Sequence, residues 1–84
     1  MGMRLNVTEG LRLLAMRAGM SMARVSKKMG YKTPASLINM VTRGTIRMKV
    51  GAAMAEACGY KMVLVPADTV IEDGIEIKGE VESE

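Results

Sequence analysis

Gly19-Met20-Ser21-Met22-Ala23-Arg24-Val25-Ser26-Lys27-Lys28-Met29-Gly30, followed by Tyr31-Lys32-Thr33-Pro34-Ala35-Ser36-Leu37-Ile38-Asn39-Met40-Val41-Thr42-Arg43-Gly44, is the stretch from which the rest of the chain is read. Ser21 is a residue type that caps helices, and it predicts a short helix over Met22–Met29 closed by Gly30. Val25 and Met29, four apart, face inward; Arg24, Lys27 and Lys28 lie outside. Thr33-Pro34 predicts the next helix start, with Thr33 as N-cap and Pro34 in the first helical position. Leu37, Met40 and Val41 form its inward face. Ala35, Ser36, Ile38, Asn39, Thr42 and Arg43 are left outside, and Gly44 stops the helix. Ser26 is small where the two helices cross.

Outward from this pair the same grammar continues. Asn6-Val7-Thr8-Glu9 has the form of a capping box, Asn6 as N-cap and Glu9 reaching back. Val7, Leu11, Leu14, Ala15 and Ala18 then make one apolar stripe at helical spacing, with Arg12 and Arg17 off it and Gly19 as the stop. A fourth helix is expected over Met48–Cys58, ended by Gly59. Its Met48, Ala52 (or Val50), Ala53, Met54, Ala57 and Cys58 imply deep burial, and Gly51 weakens its first turn. After Gly59 the pattern changes to β. Tyr60-Lys61-Met62-Val63-Leu64-Val65 reads as a strand ended by Pro66. Thr69–Glu72, Asp73-Gly74 and Ile75–Lys78 read as a hairpin with a type I′ turn. That register puts Val70, Ile75 and Ile77 on one face and Ile71 on the other. Residues 81–84 read as a frayed end. The expectation is a mainly α, four-helix single domain, helical over about 6–59, with a strand-rich acidic extension over about 60–80.

Composition narrows the function. Eighty-four residues support one core. With two tyrosines, no Phe or Trp and ten methionines, that core is expected to be aliphatic and rich in Met. There is no histidine and a single cysteine, Cys58. An internal disulfide is therefore excluded, a Cys/His metal site is not expected, and the usual general base is missing. Cys58 falls on an apolar helix face and reads as a buried structural thiol. Phosphate-loop motifs are absent, and Glu72, Asp73 and Glu76 read as a solvated turn. Neither an enzyme nor a cofactor is expected. No apolar run is long enough for a membrane span and no secretory h-region is present, so a cytoplasmic protein without membrane contact is expected.

The net charge of +3 conceals a polarity. Residues 1–61 carry eleven Lys/Arg against two acids, and residues 62–84 carry one Lys against seven acids. The front of the chain is suited to a polyanion and the tail is not. The second helix of the quoted pair offers a short-chained polar face bordered by Lys32 and Arg43, which suits the major groove of a duplex.

These residues resemble the Cro-type (XRE, lambda-repressor-like) helix-turn-helix family from Leu11 to Pro66. The match runs through Gly19, Ser21, Val25, Ser26, Met29, Gly30, Leu37, Met40 and Gly44. It departs at Met22, where the family often has Gln, and Gly30–Gly44 is about two residues longer than in many members. The resemblance implies sequence-specific binding of double-stranded DNA by a transcriptional repressor or phage-type regulator, with a recognition helix at about 34–43. It puts Ala35, Ser36 and Asn39 against bases, the Asn39 amide being able to pair bidentately with adenine. Ser21, Lys32, Thr33, Thr42, Arg43 and Thr45 are implied phosphate contacts. Lys27, Lys28 and Ile38 are weaker DNA candidates, Ile38 through a thymine methyl.

One recognition helix reads too few bases for genomic specificity, so a homodimer is expected, joined through the C-terminal strands with their exposed edges. The competing reading is a protein-interaction module on the same scaffold, an antitoxin or phage-encoded inhibitor. In that reading the acidic C-terminal hairpin grips a protein partner.

Overall fold

A computed structural model describes residues 4–79. Along the chain it has β1 (Arg4–Leu5), α1 (Val7–Arg17), α2 (Met22–Lys28), α3 (Ala35–Arg43), α4 (Met48–Ala57) and β2 (Glu76–Ile77). The class is mainly α. The first helix starts where the sequence says. Asn6 is extended, its side chain accepts from the Glu9 N–H at 2.8 Å, and the Glu9 carboxylate accepts from the Asn6 N–H at 3.2 Å. Two of the four open donors of the first turn are thereby satisfied. Ser21 caps α2 by accepting from the Arg24 N–H at 3.2 Å.

The core lies where α1, α2, α3 and α4 meet. Leu11, Leu14 and Ala15 come from α1, Val25 from α2, Leu37 and Val41 from α3, and Met54, Ala55 and Cys58 from α4 and its end. Leu37, Met54 and Val25 are fully buried. Among the described residues Met54 is the one methionine inside. Met20, Met22, Met29 and Met40 pack around the rim, whereas Met16 and Met48 are exposed. The expected Met-rich core is thus a Leu/Val/Ala core edged with methionine.

Three further expectations are corrected. Thr33 does not cap α3: Pro34 already has helical angles, its carbonyl accepts from the Ile38 N–H at 3.0 Å, and no side chain caps this end. A capping side chain needs its residue extended beside the first turn, and here the chain bends into the helix instead. The phase of α4 also differs. Gly51, Met54 and Ala55 of α4, with Cys58 beyond it, are buried, while Met48 and Ala53 face out. Positions three before, one after and four after Met54 share its face and position 53 does not; Met48 is on the same stripe but is the first residue of the helix and stays open there. Gly51 is close to the Met62 methyl, from which a Cβ on it would lie 3.2 Å.

The largest correction concerns the tail. Among the described residues Tyr60–Val65 joins no ladder, and no hairpin forms about Asp73-Gly74. Instead β2 pairs in parallel with β1, Arg4 opposite Glu76 and Leu5 opposite Ile77. The Lys78 N–H donates to the Leu5 carbonyl at 2.9 Å, and Arg4 Nε meets Glu76 Oε2 at 3.1 Å. An isolated two-stranded hairpin is marginal in water, and docking on α1 is the better use of the same residues. Ile75 packs on the core, and Ile77 sits over Gly10, where a Cβ would approach its Cγ1 to 2.7 Å. Val70 does not join them and stays exposed. The frayed end expected at 81–84 lies outside the described residues.

Candidate nucleic-acid interface

Leu37 and Val41, both buried, fix the rotation of α3 about its axis. At 100° per residue, Asn39 then falls at the middle of the opposite face, with Ala35, Ser36, Thr42 and Arg43 around it. All five are exposed. Ile38 is on the flank and 39% exposed, and Met40 is half-buried toward the core. The outer surface of α3 therefore consists of a methyl group, two hydroxyls and an amide, with Arg43 at its end. These are short groups that let a helix approach another surface closely.

The C-terminal end of α3 is held from α1. The Thr8 hydroxyl donates to the carbonyl of Val41 and, at 3.4 Å, to that of Thr42, which are open acceptors of the last turn. Arg12 reaches Thr42 Oγ1 at 3.4 Å. Gly44 ends the helix at φ +67°, a left-handed conformation that an L side chain resists. It turns the chain so that Arg43 and Thr45 stay at the surface.

The remaining predicted residues surround this face unevenly. Lys32 and Thr33 are exposed at the bend before α3, and Thr45 just after it. Ser21 is exposed, but its oxygen already serves the Arg24 N–H. Lys27 and Lys28 are exposed on α2. Among the described residues the only ion pair is Arg4–Glu76, and none of Lys32, Arg43, Lys27 and Lys28 is paired with a described acid.

Two cations escaped the sequence reading. Arg12 is tied to Thr42, and Lys78 lines a shallow cleft with Asn6, Val7, Thr8 and Arg43. Lys78 reaches that position only because β2 pairs with β1, so no local signal announced it. Glu72 and Glu76 border a second open cleft with Arg4, Arg17 and Ile75, where Arg17 approaches the Gly74 carbonyl at 3.5 Å.

Cys58 is buried, and burial pushes its thiol above the usual range against a smaller opposing pull from Lys28. A protonated, enclosed thiol is a poor nucleophile. Among the described residues no three acidic or thiol groups converge as metal ligands, and no helix is long and apolar enough to cross a membrane. Comparison with known protein families gives no match, and no curated protein or solved structure matches the chain.

Proposed function

We propose that this chain binds double-stranded DNA in a sequence-specific manner, as a transcriptional repressor or phage-type regulator on a Cro-type helix-turn-helix scaffold, with α3 in the major groove. The observation that carries the reading is the outer face of α3. It is short-chained and polar, centred on Asn39, and held rigid from behind by Leu37 and Val41. It is bracketed by the exposed cations Lys32 and Arg43, neither paired with a described acid. A major groove admits one helix and is read through base edges, while flanking cations neutralise phosphates and fix the register. In this reading Ala35, Ser36 and Asn39 face bases, and Lys32, Thr33, Thr42, Arg43 and Thr45 face the backbone. Two copies on a near-palindromic site supply the specificity that one helix lacks.

The test starts from duplexes selected out of a random pool, with affinity read by fluorescence anisotropy at several salt concentrations. Asn39→Ala is expected to weaken the selected site by about 1–3 kcal/mol and to relax preference at one base pair. Arg43→Ala is expected to weaken all sequences alike and to lower the salt slope by about one. If no sequence is enriched and both variants behave as wild type, the DNA reading is wrong. The exposed acids around Glu72 and Asp73 then become the surface to present to a basic protein.

A further inference from the structure

Lys78 is the one base among the seven acids of residues 62–84, and the fold sets it beside the end of α3. Two sets of contacts put it there. β1 and β2 pair in parallel, Leu5 opposite Ile77, and the Lys78 N–H donates to the Leu5 carbonyl at 2.9 Å. Continuing that register by one residue brings Lys78 to Asn6, the N-cap of α1. From Asn6 the chain enters α1, where the Thr8 hydroxyl donates to the Val41 and Thr42 carbonyls at the end of α3. Lys78 and Arg43, far apart in sequence, thereby line one cleft with Asn6, Val7 and Thr8.

The cleft is of one sign. Two cations line it and no acid does. Glu9, the acid of α1, turns its carboxylate onto the Asn6 N–H at 3.2 Å, and Glu76 is held by Arg4 at 3.1 Å. Among the described residues neither Arg43 nor Lys78 has an acidic partner. Bringing like charges together costs stability, and a concave surface lined by one sign concentrates the opposite one. The start of α1 is not the seat by itself, because Asn6 and Glu9 already satisfy each other's N–H groups. At about 320 Å³ and open to solvent, the cleft is at the lower limit for enclosing a small molecule. It suits an anionic group presented from outside by a larger body.

We infer that this cleft binds the phosphate backbone of a duplex, with Lys78 as a phosphate contact beside Arg43, and that the pairing of β2 with β1 assembles it. This contact rests on the DNA-binding reading and adds to it a residue from outside the helix-turn-helix. A phosphate contact carries no sequence information, so Lys78 sets how α3 lies along the groove and not which bases it reads. Ile77, seated over Gly10, keeps β2 on α1 and is a positioning residue for Lys78.

The experiment uses the full chain and its selected duplex, with fluorescence anisotropy from about 0.1 M to about 0.5 M salt. Lys78→Ala is expected to weaken binding about five- to ten-fold at the lowest salt and to lower the salt slope by about one, equally on a scrambled duplex. Lys78→Arg is expected to keep the slope. Ile77→Asn leaves the charge unchanged but removes the seat on Gly10. It is expected to lower the slope in the wild-type chain and to change nothing further in Lys78→Ala. Circular dichroism reports that each variant is folded; should Ile77→Asn unfold, the Lys78 variants decide alone. An unchanged slope in folded Ile77→Asn overturns the assembly of the cleft by β2. If Arg43→Ala weakens binding and Lys78→Ala does not, the cleft is no backbone site, and DNA binding by α3 stands without it. If Asn39→Ala and Arg43→Ala are also without effect, α3 does not read DNA and the Lys78 contact falls with it. Tighter binding by Glu80→Gln, with Lys78→Ala like wild type, gives the cleft to the chain's own acid and overturns the phosphate contact.

Discussion

Gly10 sits inside α1, where a glycine costs helix stability, and the structure says why it is there. A Cβ at position 10 would lie 2.7 Å from Ile77 Cγ1 and 2.9 Å from Cδ1. Gly10→Ala therefore has two opposed effects. Replacing a helical glycine by alanine gains about 0.8–1 kcal/mol. Against that, the Ile77 side chain must leave its seat. Ile77 is 39% exposed, so the larger part of it is covered, and uncovering that part loses about 1–2 kcal/mol. The two nearly cancel, with a net loss of at most about 1 kcal/mol. In an Ile77→Ala background the obstructing atoms are gone, and the same Gly10→Ala change is expected to stabilise by about 1 kcal/mol. The contrast of about 1–2 kcal/mol between the two backgrounds is a coupling energy, read from urea unfolding of the four proteins in the cycle. If Gly10→Ala stabilises wild type by the full helical increment, Ile77 is not seated on α1. The parallel pairing of β1 with β2 would then fall with it.

Two other outcomes follow from the core. Ser26 is 1% exposed and its hydroxyl has no partner among the described residues, so Ser26→Ala is expected to raise stability by about 1 kcal/mol in urea melts; a loss of that size would mean the hydroxyl is bonded. The Cys58 thiol is raised by burial above its ordinary 9.0, so the folded state holds this proton more tightly than the unfolded one. Its contribution is intact below about pH 9 and falls as pH rises beyond it. Melts at pH 8 and pH 10 under reducing conditions should show a smaller alkaline loss in Cys58→Ala than in wild type, and equal losses would refute the burial.

The helices were legible because their signals are local. Asn6 with Glu9, Ser21, and the glycines after each helix act within a turn of themselves, and Leu37 with Val41 is enough to orient α3. The α4 phase was not legible, for lack of contrast. From Val50 to Ala55 every residue is Val, Gly, Ala or Met, so apolar spacing singles out no face. In the tail a local signal was read and a distant partner decided. Asp73-Gly74 suits a hairpin, but Ile75 and Ile77 find a ready surface on α1, and the edge they pair with lies some seventy residues earlier. Arg4-Leu5 is too short to show any period. The exposed face of α3 could be read from the sequence, whereas Lys78 beside Arg43 could not.

The docking of β2 also bears on how one chain carries opposite charges without the halves annulling each other. Were the acidic tail free, it would compete with a polyanion for the basic face through simple attraction. Ile75 and Ile77 hold its described part on α1, and Glu76 pairs with Arg4 rather than with Lys32 or Arg43. The same pairing carries the tail's lone base, Lys78, to the cleft beside Arg43. Parallel register thus puts Glu72 and Glu76 at the Arg17 cleft and Lys78 beside Arg43. A hairpin closed on itself would not impose that separation. The apolar contact of Ile77 on Gly10 therefore acts on electrostatics as well as on stability. Among the described residues it leaves the cations around α3 without an acidic partner, which is the condition any phosphate contact by them requires.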